Sequence, residues 1–271
     1  MGVRNRRPDL NGVIVIDKPL GWTSARAVNA ARRATSGARV GHAGTLDPLA
    51  TGVLILCIGK ATRLVEKFMA EPKRYAAVID LSRTSESHDL ERETTAVHVD
   101  SAPTEAQVRA ALLNFVGSIE QLPPAHSAVK VGGKRAYDLA RRGRLNETDR
   151  VADVPGAAEG EPAAMLKPRT VRIDAIEVRR YAWPILEIDI ACGKGTYIRS
   201  LARDIGRALS TGGVLTGLVR TASGGFVIED ALAGSALEKP LGAEAIIPMN
   251  DPRLLGPGAD GGMEQPPGAP A

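Results

Sequence analysis

Gly41 to Leu54 reads G-H-A-G-T-L-D-P-L-A-T-G-V-L, a glycine-punctuated stretch that delivers one carboxylate, Asp47, just before an apolar run. Seven Lys or Arg residues lie between Lys18 and Arg63, and Asp47 is the only acid among them. With no acidic neighbour to share a proton, such a carboxylate is expected to stay ionised and to suit work on a polyanionic substrate. Gly41, Gly44 and Gly52 permit backbone angles and close approaches that a side chain would block. Pro48 biases Asp47 toward an extended conformation, so the carboxylate is presented rather than enclosed in a helix. Asp before Pro is also ordinary turn chemistry, and these residues alone leave that alternative open.

The flanking sequence must position this loop. Gly12–Ile16 predicts a short strand that runs into D-K-P-L-G-W-T-S, where Pro19 and Gly21 stop it and Ser24 can cap a helix over 24–34. That helix carries Arg26, Arg32 and Arg33 outside and Val28 and Ala31 inside. Gly52–Ile58 is nearly continuous in apolar residues, as expected of a strand buried on both faces. A short amphipathic helix is predicted over 62–69, broken at Pro72. In Lys73–Leu81, alternation places Tyr75, Ala77, Ile79 and Leu81 on one face. The acid-rich R-T-S-E-S-H-D-L-E-R-E that follows reads as a solvated loop.

Thr104–Phe115 opens with a capping box, Thr104 to Gln107, and turns Val108, Leu112 and Phe115 inward. Gln121–Lys134 reads as a strand entering a Gly-Gly hairpin, followed by a short basic helix ending near Gly143. Residues 130–150 hold seven bases against three acids. Pro168–Val178 and Ile185–Cys192 predict an antiparallel pair. A further helix is marked by Ile198, Leu201, Ile205 and Leu209, with Arg199, Arg203 and Arg207 off that stripe.

Across 271 residues, aromatic content is only 3%, so aliphatic side chains must fill the core, and the net charge of +4 fits a nucleic-acid partner without requiring one. Residues 1–65 carry ten bases against three acids, while 80–105 carry seven acids against two arginines, which predicts one basic and one acidic face. Cys57 and Cys192 sit beside apolar residues and read as buried free thiols. No apolar run reaches the roughly 18 residues of a membrane span, and the N-terminus lacks a signal-peptide core. A cytoplasmic location is therefore expected.

Gly41–Leu54 resembles motif II of the TruB-type pseudouridine synthases, G-H-x-G-x-L-D-P-x-A-x-G-x-L, at every specified position. D-K-P-L-G-W-T-S resembles the same family's motif I, K-R-Y its tyrosine strand, P-P-x-x-S-A-x-K a further segment, K-G-T-Y-I-R its motif III, and L-V-R-T-A-S-G its last active-site strand. The resemblance runs from about Gly12 to Asp230. It implies an α+β fold, a pseudouridine-synthase catalytic domain whose mixed, largely antiparallel sheet is flanked by helices and loops around a central RNA-binding cleft. It also implies roles for particular residues. Asp47 is the catalytic nucleophile, Tyr75 stacks on the target base, and Arg199 pairs with the aspartate. His42 fills the space left by the extruded base, Lys18 helps hold the loop or a phosphate, Leu218 packs near the base, and Arg220 supports the fold. The acidic segment departs from the family's T-D-T-x-D pattern, and no role is assigned to its acids.

The implied reaction isomerises the T-arm uridine of tRNA, position 55, to pseudouridine after base flipping. Whether Asp47 adds to the base or to the sugar C1′ is left open. This chemistry needs no cofactor and no metal. Neither a dinucleotide nor a Walker glycine pattern is present, and His42, His88, His98 and His126 with two distant cysteines do not form zinc spacing. Expected partners are the tRNA T arm and no membrane, with the chain acting as a monomer without an obligate protein partner. A non-catalytic tRNA-binding or folding protein is the alternative, and a methyltransferase would need a cofactor-binding glycine loop that is missing. The catalytic domain is expected over 1–230, with a flexible insertion at about 151–167. Residues 231–271 are expected to form a short remnant and disordered tail, too short for a complete PUA-type RNA-binding domain.

Overall fold

The computed structural model describes residues 10–125 and 166–255, with short backbone segments at 130–131, 134–135, 145–146 and 164–165. The basic helix expected before Gly143 and most of the insertion expected at 151–167 lie outside the described residues. Of the hairpin expected after Gln121, the two short strands pair antiparallel, Lys130 with Arg135 and Val131 with Lys134.

One eleven-stranded sheet organises the molecule. Its members are β1 (Gly12–Lys18), β2 (Val40–Ala43), β3 (Ala50–Ile58), β4 (Lys73–Asp80), β7 (Gly117–Gln121), β8 (Arg169–Ala182), β9 (Ile185–Cys192), β10 (Val214–Ser223), β11 (Phe226–Val227), β12 (Leu232–Ala233) and β13 (Ile247–Pro248). Between β4 and β7, β5 (Arg83–Ser85) and β6 (Thr94–Ala96) form a separate hairpin. The main order is β12-β1-β3-β10-β4-β9-β8-β7. Pairing is antiparallel except for β3 with β10 and β1 with β12, in accord with the mixed, largely antiparallel sheet expected. The α+β class follows from this sheet and its helices.

The sheet buries both faces because β1 and β3 are apolar at nearly every position, Val13–Ile16 and Val53–Ile58 being at most 2% exposed. One face packs under α1 (Ser24–Ala34), α3 (Glu105–Leu113) and α4 (Ile198–Ala208), with Ile14, Leu54, Leu56, Val108, Leu201 and Ile205 in one cluster. The other carries Val13, Ile55, Phe68 and Phe226, covered by α2 (Val65–Ala70). The Phe68 and Phe226 rings meet edge to face with centroids 6.1 Å apart.

Several local expectations are refined. The first strand continues to Lys18, since Gly52 still pairs with it. Thr23, not Ser24, caps α1 by accepting from the Arg26 N–H, and α1 buries Ala27, Ala30, Ala31 and Ala34 while Val28 is only half-buried. The helix expected at 62–69 is a 3-10 turn over Gly59–Leu64 followed by α2. Thr104 and Gln107 do form the capping box at α3. Cys57 and Cys192 are buried free thiols, and burial pushes them up to about 12 and about 11. Among the described residues no helix is long and apolar enough to cross a membrane.

Candidate active site

Asp47 lies in the loop that joins β2 to β3, and three side-chain or backbone ties from the β1–α1 segment fix that loop. Ser24 Oγ accepts from the Leu46 N–H (2.9 Å) and donates to the Leu46 carbonyl (3.1 Å). The Gly21 N–H donates to the Pro48 carbonyl at 2.8 Å, and the Gly52 N–H to Asp17 Oδ1 at 2.9 Å. Ser24 is thus freed from capping to grip the residue before Asp47. Gly52 adopts φ +95°, and a Cβ there would run into the Arg220 backbone. Only glycine lets β3 begin in parallel register beside β10, with Ala50 opposite Leu218 and Gly52 opposite Arg220.

A cleft of about 300 Å³ opens at this junction, lined among others by Asp47, Tyr75, Arg199, Leu218, Lys73 and Arg220. The volume is at the lower end of the range of about 300–1,000 Å³ usual for small-ligand pockets. Tyr75 faces Arg220 across the β4–β10 pair, and Ala77 faces Leu218. Cross-strand partners share a face, so Tyr75, Leu218 and Arg220 form one floor. Burial raises the pKa of the Tyr75 phenol, opposed by the adjacent Arg220 charge, so the ring stays neutral and available for stacking.

Arg199 enters from the first turn of α4. Its Nε lies 3.0 Å from Asp47 Oδ2, the arginine side chain being 5% exposed and the aspartate side chain 39%. A charge-assisted contact of this length fixes the carboxylate while leaving part of it open to the cleft. Arg199 Nη1 also donates to the Ser87 carbonyl at 3.3 Å and lies 3.6 Å from Asp89 Oδ2. Asp89 is 2% exposed, and its Oδ1 accepts from the Glu91 N–H at 2.9 Å.

This corrects the solvated reading of the acidic segment. Ser85, Ser87, His88 and Asp89 are buried while Glu86 and Leu90 are exposed. The small residues at 85 and 87 and the acid at 89 recur with period two, the signal that could have flagged an inward face. Arg203, expected off the apolar stripe of α4, is also buried, with Nη2 on the Leu122 carbonyl at 3.0 Å and Nε on Asp204 at 2.8 Å; Arg207 is exposed.

Lys18 and His42 take different places. Lys18 has no exposed surface, and its Nζ donates to the Trp22 carbonyl at 2.6 Å and the Pro19 carbonyl at 3.0 Å. It holds the loop after β1 and has no surface with which to meet a phosphate. Desolvation lowers it to about 8, against the opposing pull of Asp47. His42 sits on β2 outside the cleft lining; burial and then the Arg220 charge lower its pKa, and its Nδ1 is buried without a partner among the described residues. Arg220, 1% exposed, ties Val53 and Gly44 together by donating to both carbonyls, at 2.6 and 3.1 Å. Lys73, not singled out by sequence, caps the end of α2 by donating to the Phe68 (3.0 Å) and Met69 (2.7 Å) carbonyls.

The chain matches the family model of the TruB family pseudouridylate synthase (N terminal domain) over residues 32–154. It is 46% identical to the tRNA pseudouridine synthase B of Phocaeicola vulgatus across 82% of its own length and 89% of that protein. With the protein of the same name from Trichormus variabilis it shares 41% identity, covering 88% of this chain and 76% of that one. Among solved structures it resembles a Cbf5-Nop10-Gar1 complex, with TM-score 0.62 and 27% identity over 88% of this chain and 60% of that chain. It also resembles an H/ACA RNP bound to a substrate RNA containing 2'-deoxyuridine, with TM-score 0.57, 26% identity and coverage of 82% and 50%. The chain therefore spans 60% and 50% of those solved chains. The sheet, its helices and these likenesses define a pseudouridine-synthase fold. Within that class, the chain belongs to the TruB family.

Proposed function

We propose that this chain isomerises the T-arm uridine of tRNA, position 55, to pseudouridine, with Asp47 as the nucleophile. The observation that carries the reading is the Asp47–Arg199 pair, 3.0 Å long, set at a cleft floored by Tyr75 and Leu218. The reaction breaks N1–C1′, turns the base, joins C5 to C1′, moves the C5 proton off and returns one to N1. It is redox-neutral. Its requirements are a positioned nucleophile and a pocket that retains the detached base. Tyr75 supplies a stacking face worth about 1–3 kcal/mol, which helps offset the few kcal/mol spent in flipping the nucleotide. Leu218 packs against the base, and His42 occupies the vacated stack. The curated relatives' shared name, tRNA pseudouridine synthase B, supports tRNA as the substrate.

The proposal takes residues 1–230 as the catalytic unit. It includes a cytoplasmic location and action as a monomer without an obligate protein partner. Incubating unmodified tRNA with the purified chain and mapping new pseudouridine tests it. One modified site in the T arm is the expected outcome, and an unmodified T arm overturns the reading.

A further inference from the structure

Arg199 can orient Asp47 only if the first turn of α4 is itself held. Its N-cap, Tyr197, is extended (φ −102°, ψ 110°) and offers no side-chain cap, and the first turn carries no acid. The hold comes from across the chain. Gln121, the last residue of β7 and 1% exposed, forms a reciprocal pair with the Tyr197 peptide. Gln121 Oε1 accepts from the Tyr197 N–H at 2.8 Å, and Gln121 Nε2 donates to the Tyr197 carbonyl at 3.1 Å. A side-chain amide presents a donor and an acceptor side by side and so can meet the N–H and the carbonyl of a single extended residue. An ionised glutamate lacks the donor and leucine lacks both.

The next residue of the same segment grips α4 on the other side of Arg199. The Leu122 carbonyl accepts from Ser200 Oγ at 2.8 Å and from Arg203 Nη2 at 3.0 Å. Ile198, Leu201, Ala202 and Ile205 bury the helix in the core. The body of α4 is therefore secured without Gln121, whereas the backbone two residues before Arg199 is fixed by it.

From this geometry we infer that Gln121 is a positioning residue for the reaction proposed above: it sets the start of α4 so that the Arg199 guanidinium meets Asp47. The inference rests on that functional reading. Because other contacts anchor the helix, loss of Gln121 alters alignment more than folding, and misplacement of about an ångström at a reacting group costs on the order of 10²-fold in rate.

The test uses the full chain with Gln121→Leu, Gln121→Glu and Arg199→Lys, alone and combined. Gln121→Leu should lower single-turnover pseudouridine formation about 10²-fold with tRNA affinity within about twofold. Gln121→Glu, which keeps the acceptor for the Tyr197 N–H, should fall between it and the unaltered chain. Combined with Arg199→Lys, Gln121→Leu should add little, because a residue acting through Arg199 has nothing left to align. Multiplicative losses in the double variant, or a Gln121→Leu chain with undiminished rate, would overturn the inference. A readout independent of activity is the 15N-labelled Arg199 Nε–H resonance, expected to be exchange-protected in the unaltered chain and to lose that protection in Gln121→Leu and, more weakly, in Gln121→Glu. Loss of protection with no pseudouridine formed by any chain would keep the positioning role and overturn the reaction; protection unchanged in both variants would overturn the positioning role itself.

Discussion

Two kinds of buried cation surround the cleft. On its floor and beneath it, Lys18, Lys73 and Arg220 give their hydrogen bonds to backbone carbonyls. On its wall, Arg199 meets two carboxylates, Asp47 partly open to the cleft and Asp89 buried behind it. Removing a charge from water is expensive, so each arrangement needs its own justification. Carbonyl partners tie backbone together, β3 to β10 through Arg220, the turn after β1 to itself through Lys18, and the end of α2 to β4 through Lys73, and their geometry is indifferent to which side chains those segments carry. Carboxylate partners fix the group proposed to react. The floor therefore builds the site, and the wall aims it.

Substitutions can break that division, the most damaging first. Asp47→Asn, which removes the wall's open charge, should reduce pseudouridine formation below about a thousandth while tRNA still binds in a filter or fluorescence assay. Arg220→Met leaves the Val53 and Gly44 carbonyls without their donor and should lower stability by about 2–3 kcal/mol, read as a lower midpoint in urea. Activity should follow the fraction folded. Asp89→Asn keeps the acceptor for Glu91 but removes the rear charge, and should slow the reaction about tenfold, or about 1.4 kcal/mol, with binding intact. An unchanged rate would make Asp89 part of the scaffold and erase the contrast.

The last effect is a pH dependence. Lys18 is lowered by burial to about 8 from 10.5. Between those values the folded chain binds fewer protons at this site than the unfolded chain, so its contribution to stability rises with pH, by up to about 1.4 kcal/mol per unit. Against a Lys18→Met variant measured in parallel, the unaltered chain should gain stability from pH 8 toward 10. A difference that shrinks with pH would contradict the burial of a charged amine there.

The same division explains what could be read in advance. Asp47, Tyr75, Leu218 and Arg199 stand on motifs and on strong periodicities, and the structure brings all four to one cleft. The alternation of Lys73–Leu81 and the helical spacing from Ile198 predicted their elements correctly because burial there depends on apolar side chains. Carbonyl cradles leave no trace in side-chain identity, so the work of Ser24, Lys73 and Gln121 was not legible. Asp89 was misread for a related reason. Local acidity suggests solvent, and the cation that draws Asp89 inward lies 110 positions further along the chain.

The segment after Asp230 returns to the first strand. β12 aligns with Ile16 and Asp17, and β13 with Gly12 and Val13. Without these two short pieces, β1 would present a bare row of amide and carbonyl groups along the strand whose end carries Lys18. Uncovered edges of that sort recruit other chains. β12 and β13 thus occupy the open edge of the strand whose Asp17 ties the Asp47 loop through Gly52, leaving fewer unpaired groups there for another chain to meet.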